Sequence, residues 1–152
     1  MKFLADHMLG KLAKYLRFMG YDTYYPDGKM SNEEIMELAK KEKRIILTRD
    51  RELAVRSGGY FVKSDKYEEQ LKDVISQFSL NAEHILERCS ICNEPLLPVS
   101  KEKVKGRVPE YIYQTHEEFY QCPKCGRVYW WGTHTERIEK KINKIIGEAN
   151  ES

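Results

Sequence analysis

No apolar run in these 152 residues approaches the ~18 needed to cross a bilayer, which excludes a membrane span and a membrane partner from the expectations. The first residues, Met1 to Asp6, reach an acid before a signal-peptide core can form, so the expected location is cytoplasmic. A strong charge of one sign is also missing. The net charge of +2 is too mild to announce a nucleic-acid binder, so any basic surface must come from local clustering. There is no internal repeat and no low-complexity segment, and cysteine is absent until residue 89. What is present is 41% hydrophobic and 33% charged residues, the balance of a soluble globular protein. The length suits one good core, or a core plus a small module that needs a staple.

The first half alternates short apolar runs with helical patterns. Ile45-Ile46-Leu47 lies between two charged stretches and ends in Thr48-Arg49-Asp50. Three branched apolar residues in a row suit a strand buried on both faces, as in a parallel sheet. Lys2 to Ala5, ending at Asp6, has the same design, and Tyr60-Phe61-Val62 leads to Ser64-Asp65. Leu9, Leu12, Leu16 and Met19 repeat at helical spacing before Gly20. Ser31 and Glu34 read as a capping box opening the next helix. Residues 51–57 and 66–78 supply two further helices, and 21–25 another strand. The resulting β-α-β-α-β-α-β-α order predicts an α/β domain over residues 1–82, a parallel sheet with covering helices.

A transitional helix is expected at 82–88, and then the composition changes. Cys89-x-x-Cys92 and Cys122-x-x-Cys125 enclose a polar, tyrosine-rich insert of 29 residues (93–121). Each pair presents two thiolates to one metal, so Cys89, Cys92, Cys122 and Cys125 predict a structural Zn²⁺ site. Disulfides are unfavoured in a reducing cytosol, and neither pair opens a thioredoxin-like helix. His116 and His134 are left as surface histidines, because four thiolates close the shell. Residues 83–152 therefore read as a small zinc ribbon with a C-terminal helix at 134–148, carrying Ile138, Ile142, Ile145 and Ile146. Most of Tyr111, Tyr113, Phe119, Tyr120, Tyr129, Trp130 and Trp131 are expected in its core. One or two would stay exposed, where they can stack unpaired bases beside Lys124 and Arg127. Lys101 to Arg107 reads as a mobile basic loop able to touch a polyanion.

Asp6, Asp50 and Asp65 each follow a short strand and precede a helix. Any one of them alone reads as an N-cap, and Asp65 with Glu68 fits a capping box. Three at one edge of a parallel sheet point elsewhere. Two carboxylates ~5 Å apart repel by roughly 3 kcal/mol at an effective dielectric of 20, a cost that a cation between them removes. Hard oxygen ligands with open positions suit Mg²⁺ or Mn²⁺, which activate water against a phosphodiester. Lys11, Lys14, Arg17, Arg49 and Arg51 lie beside these acids in sequence and suit a phosphate backbone, or are simply solvated.

The stretch Phe3 to Arg17 with Gly20-Tyr21-Asp22 resembles the opening of the PIN-like Mut-seven C-terminal RNase domain family. Leu47-Thr48-Arg49-Asp50-Arg51 and Ser64-Asp65 are similar to its later motifs. The two C-x-x-C pairs, Cys125 to Trp130 and Gly132-Thr133-His134 are similar to its appended zinc ribbon. The resemblance covers nearly the whole chain. It implies a PIN-type α/β fold and a metal-dependent ribonuclease, with RNA as substrate and a catalytic site of Asp6, Asp50 and Asp65. PIN nucleases also draw an acid from the helix before the Thr-Arg-Asp strand. Asn32 stands where related sequences often have Asp, leaving Glu34 or Glu33 as the substitute. The ribbon would then hold substrate, the ribosome or another protein. Two rivals remain: a non-catalytic RNA- or ribosome-binding zinc-ribbon protein, and a protein-interaction module.

Overall fold

Strands β1 (Lys2–Ala5) and β3 (Ile45–Thr48) are buried along nearly their whole length, as their uninterrupted apolar runs require. A computed structural model describes residues 1–151 of the chain. β1 pairs in parallel with β3 and, on its other side, with β2 (Asp22–Tyr24). β3 also pairs in parallel with β4 (Tyr60–Phe61), giving the order β2-β1-β3-β4. The pleat divides the core in two. Phe3, Ala5 and Leu47 face one side, where they meet Leu12 and Leu16 of α1 (Gly10–Phe18) and Leu71, Val74 and Ile75 of α4 (Tyr67–Phe78). Leu4 and Ile46 face the other side. They meet Ile35 and Ala39 of α2 (Asn32–Glu42) and Leu53 of α3 (Arg51–Ser57). The expected α/β architecture, a parallel sheet covered by helices, is what forms.

Local signals set the joints. Ser31 and Glu34 make the capping box of α2, with Oγ and Oε1 each accepting a backbone N–H at 3.1 Å. Gly20, at φ +94°, ends α1, and a Cβ there would lie 2.3 Å from the His84 carbonyl oxygen. That close approach brings residues 81–88 against α1. The helix expected at 82–88 is absent: the segment is a succession of turns. Leu86 sits at φ +69°, its N–H donates to the Phe18 carbonyl at 3.1 Å, and Arg88 bridges to Pro95. These outside partners replace the i to i−4 bonds that a helix would need.

The second module carries a three-stranded antiparallel sheet of β5 (Leu97–Val99), β6 (Phe119–Gln121) and β7 (Val128–Tyr129). Two short helices, α5 (Lys101–Val104) and α6 (Glu110–Thr115), lie between β5 and β6. Its core is Val104, Val108, Ile112 and Phe119, with Tyr113 and Trp130 packed against it, while Tyr111 and Trp131 are exposed. Lys101 to Arg107 is thus not the loose loop expected. Val104 is fully buried and folds that basic stretch into a helical turn and a following bend.

The last helix, α7 (Thr133–Asn150), shows the expected isoleucine stripe, but its buried face packs on α4. Ile142, Ile145 and Ala149 join the core of the first module, so the C-terminal helix covers the sheet domain although the ribbon precedes it. No helix among the described residues is long and apolar enough to cross a membrane. Replacing Ile142, fully buried in that core, by alanine should cost about 2–5 kcal/mol in urea unfolding. The exposed Asn143→Ala control should change stability by less than about 0.5 kcal/mol.

Candidate functional site

The crevice begins with the register of β1 and β3. Ala5 pairs with Leu47, and the Asp6 N–H donates to the Leu47 carbonyl at 3.0 Å, so Asp6 leaves the sheet beside Thr48. The chain after β1 turns to one face of the sheet as α1, and the chain after β3 turns to the other as α3. Divergence of that kind opens a crevice at the carboxyl ends of neighbouring parallel strands. Asp6 and Asp50 both sit at it. The Thr48 hydroxyl joins them, donating to Asp6 Oδ2 at 2.9 Å and accepting the Asp50 N–H at 2.9 Å.

Both aspartates are also caps. Asp6 Oδ1 accepts the His7 N–H at 2.7 Å, and Asp50 Oδ1 accepts the N–H groups of Glu52 and Leu53 at 3.0 and 3.3 Å. Capping fixes the carboxylates without using all their lone pairs. Asp50 Oδ2 is met at the 3.5 Å limit by the Asn32 amide. His7, which sequence reasoning passed over, spans the crevice. Its Nδ1 lies 2.9 Å from Asp6 Oδ1 and its Nε2 lies 3.0 Å from the Gly28 carbonyl oxygen. The dipeptide Asp6-His7 directly after a strand was the available signal. Two carboxylates with open oxygens fit an ion of the Mg²⁺ type, which takes one or two protein carboxylates and keeps its waters.

The remaining expected acids lie elsewhere. Among the described residues no third carboxylate gathers with Asp6 and Asp50. Asp65 is exposed, four positions beyond the Phe61 that pairs with Thr48, and so past the edge where the other two emerge. It makes no capping box either: Ser64 Oγ accepts the Lys66 N–H, and Glu68 pairs with Lys141. Glu34 is held by its own capping box and Glu33 by Arg56 at 3.0 Å, so α2 meets Asp50 through Asn32. Lys11 and Lys14 are exposed, with Lys11 Nζ 4.4 Å from the Tyr67 ring centre. Arg51 lies 4.4 Å over the Phe61 ring. Arg49 donates to the Lys63 carbonyl, and its Nε is buried without a partner. Arg17 turns inward. Its buried guanidinium donates to the carbonyls of Thr23, Ser90 and Ile91 at 2.8–3.2 Å, tying α1 to the first cysteine turn.

The four cysteines form the second site. Their sulfurs all lie within 4.8 Å of one another, and all four thiols are free. The N–H groups of Cys92 and Cys125 point at the sulfurs of Cys89 and Cys122 at 3.4 Å, so each C-x-x-C turn is already folded around a sulfur. Burial pushes the Cys89 thiol up, but the Tyr129 hydroxyl and the nearby N–H groups outweigh it and leave it at about 7. Burial and the other thiols push Cys92 up to about 12. Four crowded sulfurs cannot all ionise without a cation among them. The donor set fits one soft, tetrahedral metal ion.

Thr48→Val keeps the buried shape and removes the hydroxyl that both aspartates use. It should cost about 1–3 kcal/mol in denaturant unfolding, the penalty of leaving a buried N–H and a carboxylate oxygen short of partners.

A family model described as the Mut7-C RNAse domain matches residues 1–142, which takes in both the aspartate crevice and the cysteine cluster. A human protein named exonuclease mut-7 homolog is 32% identical over 112 residues, covering 67% of this chain. The match spans only 13% of that relative's length, so it concerns one part of a much longer protein. No solved structure matches. With nearly the whole length matched, this chain belongs to the Mut7-C RNAse domain family.

Proposed function

We propose that this chain is a metal-dependent ribonuclease of PIN-like architecture, hydrolysing RNA phosphodiester bonds at the Asp6–Asp50 crevice. One observation carries the reading: the Thr48 hydroxyl bonds both the Asp6 carboxylate and the Asp50 backbone N–H, so the two aspartates emerge beside one another at neighbouring strand ends. Asp6 and Asp50 would hold Mg²⁺ or Mn²⁺. When bound, the ion supplies positive charge to the phosphoryl oxygens and makes a bound water acidic enough to attack. Thr48 fixes the Asp6 carboxylate, and the α3 N–H groups hold one Asp50 oxygen, so that the other, met by the Asn32 amide at 3.5 Å, would be the ligand. Asn32 and His7 border the same space with an amide and an imidazole. The exposed Arg51, Lys11 and Lys14 offer cations to the phosphate backbone, while Arg49 is engaged by the Lys63 carbonyl. Asp65 and Glu34 lie outside this set.

Cys89, Cys92, Cys122 and Cys125 would hold a structural Zn²⁺ that keeps the ribbon folded, and the ribbon would hold substrate or a protein partner. A second reading draws on a specific observation, that no third carboxylate joins the pair. In it Asp6 and Asp50 are helix caps, and the protein is a non-catalytic RNA- or ribosome-binding zinc-ribbon protein.

Asp50→Asn separates the two, because asparagine caps a helix as well as aspartate does but makes a far poorer ligand. Calorimetric titration with Mn²⁺ should give saturable binding to wild type and none to the variant. Cleavage of a labelled single-stranded RNA should fall at least ~100-fold, with zinc content unchanged at one ion per chain. Absence of Mn²⁺ binding and of cleavage in wild type would favour the binding-protein reading.

A further inference from the structure

Away from the acidic crevice, a cleft of about 490 Å³ separates α1 from the ribbon and the start of α7. Its cations are Lys11 and Lys14 of α1 and Arg127 of the ribbon, with His134 beside them. Its apolar wall includes Tyr15, Phe18, Tyr129 and Trp130. A second cavity of about 470 Å³ continues it, sharing Ile91, Arg127, Val128 and Trp130 and adding Arg107 together with Cys125 and Gly126 of the second cysteine turn. The chain has 24 aspartates and glutamates, yet not one lines either cavity. With a net charge of only +2, such a segregated basic and aromatic surface is local clustering, absent from the average.

We infer that this inter-module cleft seats unpaired nucleotides of the RNA strand. The bases would lie against the Trp130 side and the phosphates along Lys14 and Arg127. The inference rests on the ribonuclease reading and adds to it a substrate class, single-stranded rather than duplex RNA. Cations that track a backbone, combined with rings that accept any base face, are how single strands are held without sequence readout. A paired base hides its faces in the stack and cannot enter a cleft of this kind. The position supports it too. Lys11 opens the cleft only five positions beyond Asp6, so a strand lying in it runs from the ribbon toward the catalytic edge. Arg17, the next residue of the stripe, is spent inward on the Ser90 and Ile91 carbonyls, which holds the two walls together.

The test uses the full-length, zinc-loaded Asp50→Asn protein, so that binding is read without cleavage. The probe is a fluorescent, unstructured RNA of about ten nucleotides, within the usual span of single-strand sites. Lys14 and Arg127 are both exposed, so the double variant Lys14→Glu with Arg127→Glu should fold. It should bind at least ~10-fold more weakly, with the slope of log K against log salt reduced by about 1.4, for two lost phosphate contacts. The same sequence as a duplex should bind at least ~10-fold more weakly than the single strand. In a Trp131→Phe background, single-stranded RNA should quench the remaining Trp130. Unchanged affinity after charge reversal, equal binding of duplex, or unquenched Trp130 would each overturn the cleft. Wild-type cleavage in Mn²⁺ with cleft-independent binding removes this inference and leaves the ribonuclease. Cleft-dependent binding without any wild-type cleavage does the reverse.

Discussion

The Thr48 hydroxyl is the point on which the acidic crevice depends. It can serve Asp6 and Asp50 together only because β1 and β3 are parallel neighbours in a register that sets Ala5 beside Leu47. A slip of one residue would turn Asp6 to the opposite face and bury or strand every side chain of β1. That register is enforced from both sides of the sheet, by Phe3 and Leu47 against α1 and α4 and by Leu4 and Ile46 against α2 and α3. Core packing and carboxylate placement are therefore one constraint. A cation in the crevice would draw on rigidity that the hydrophobic layers already supply.

The ribbon is held to this scaffold by polar bonds with buried members. Arg17 reaches the first cysteine turn, and Asn93, just after Cys92, accepts the Thr23 N–H at 2.9 Å and donates to Asp22 at 2.7 Å. Burial pushes the Asp22 carboxyl up, but Arg44, Asn93 and Arg88 outweigh it and hold the group below the usual carboxylate range. Since a depressed carboxylate stabilises above its unfolded value, near 3.9, and loses that contribution as pH falls, the junction loses this part of its stability in acid. α7 closes the assembly by packing the chain's end onto α4.

Much of this was legible before any coordinates. Uninterrupted apolar runs ending in Asp marked β1 and β3, the Ser31–Glu34 pair marked α2, and two C-x-x-C turns marked the cluster, because each signal is local. What escaped was set by distant partners. Arg17 shares a helical stripe with Lys11 and Lys14, and the carbonyls of Thr23 and of Ser90 and Ile91, the last two more than 70 residues away, draw it inward. Residues 82–88 have helical composition but find partners in Phe18 and Pro95. Asp65 and Glu34 have the right chemistry, but Asp65 is exposed and Glu34 is engaged in the α2 capping box. Thr48 carries no charge, so no search for acids would find it, yet its hydroxyl bonds Asp6, while Asn32, legible only as the place of a missing acid, meets Asp50.

If Asp6 and Asp50 make one divalent-cation site, both carboxylates ligate the same ion. Anomalous diffraction from a crystal of the protein soaked in Mn²⁺ tests it most directly. A manganese peak should lie within about 2.5 Å of a carboxylate oxygen from each residue, as inner-sphere coordination requires. Manganese found only at exposed surface carboxylates, with the crevice between β1 and β3 empty, would contradict it.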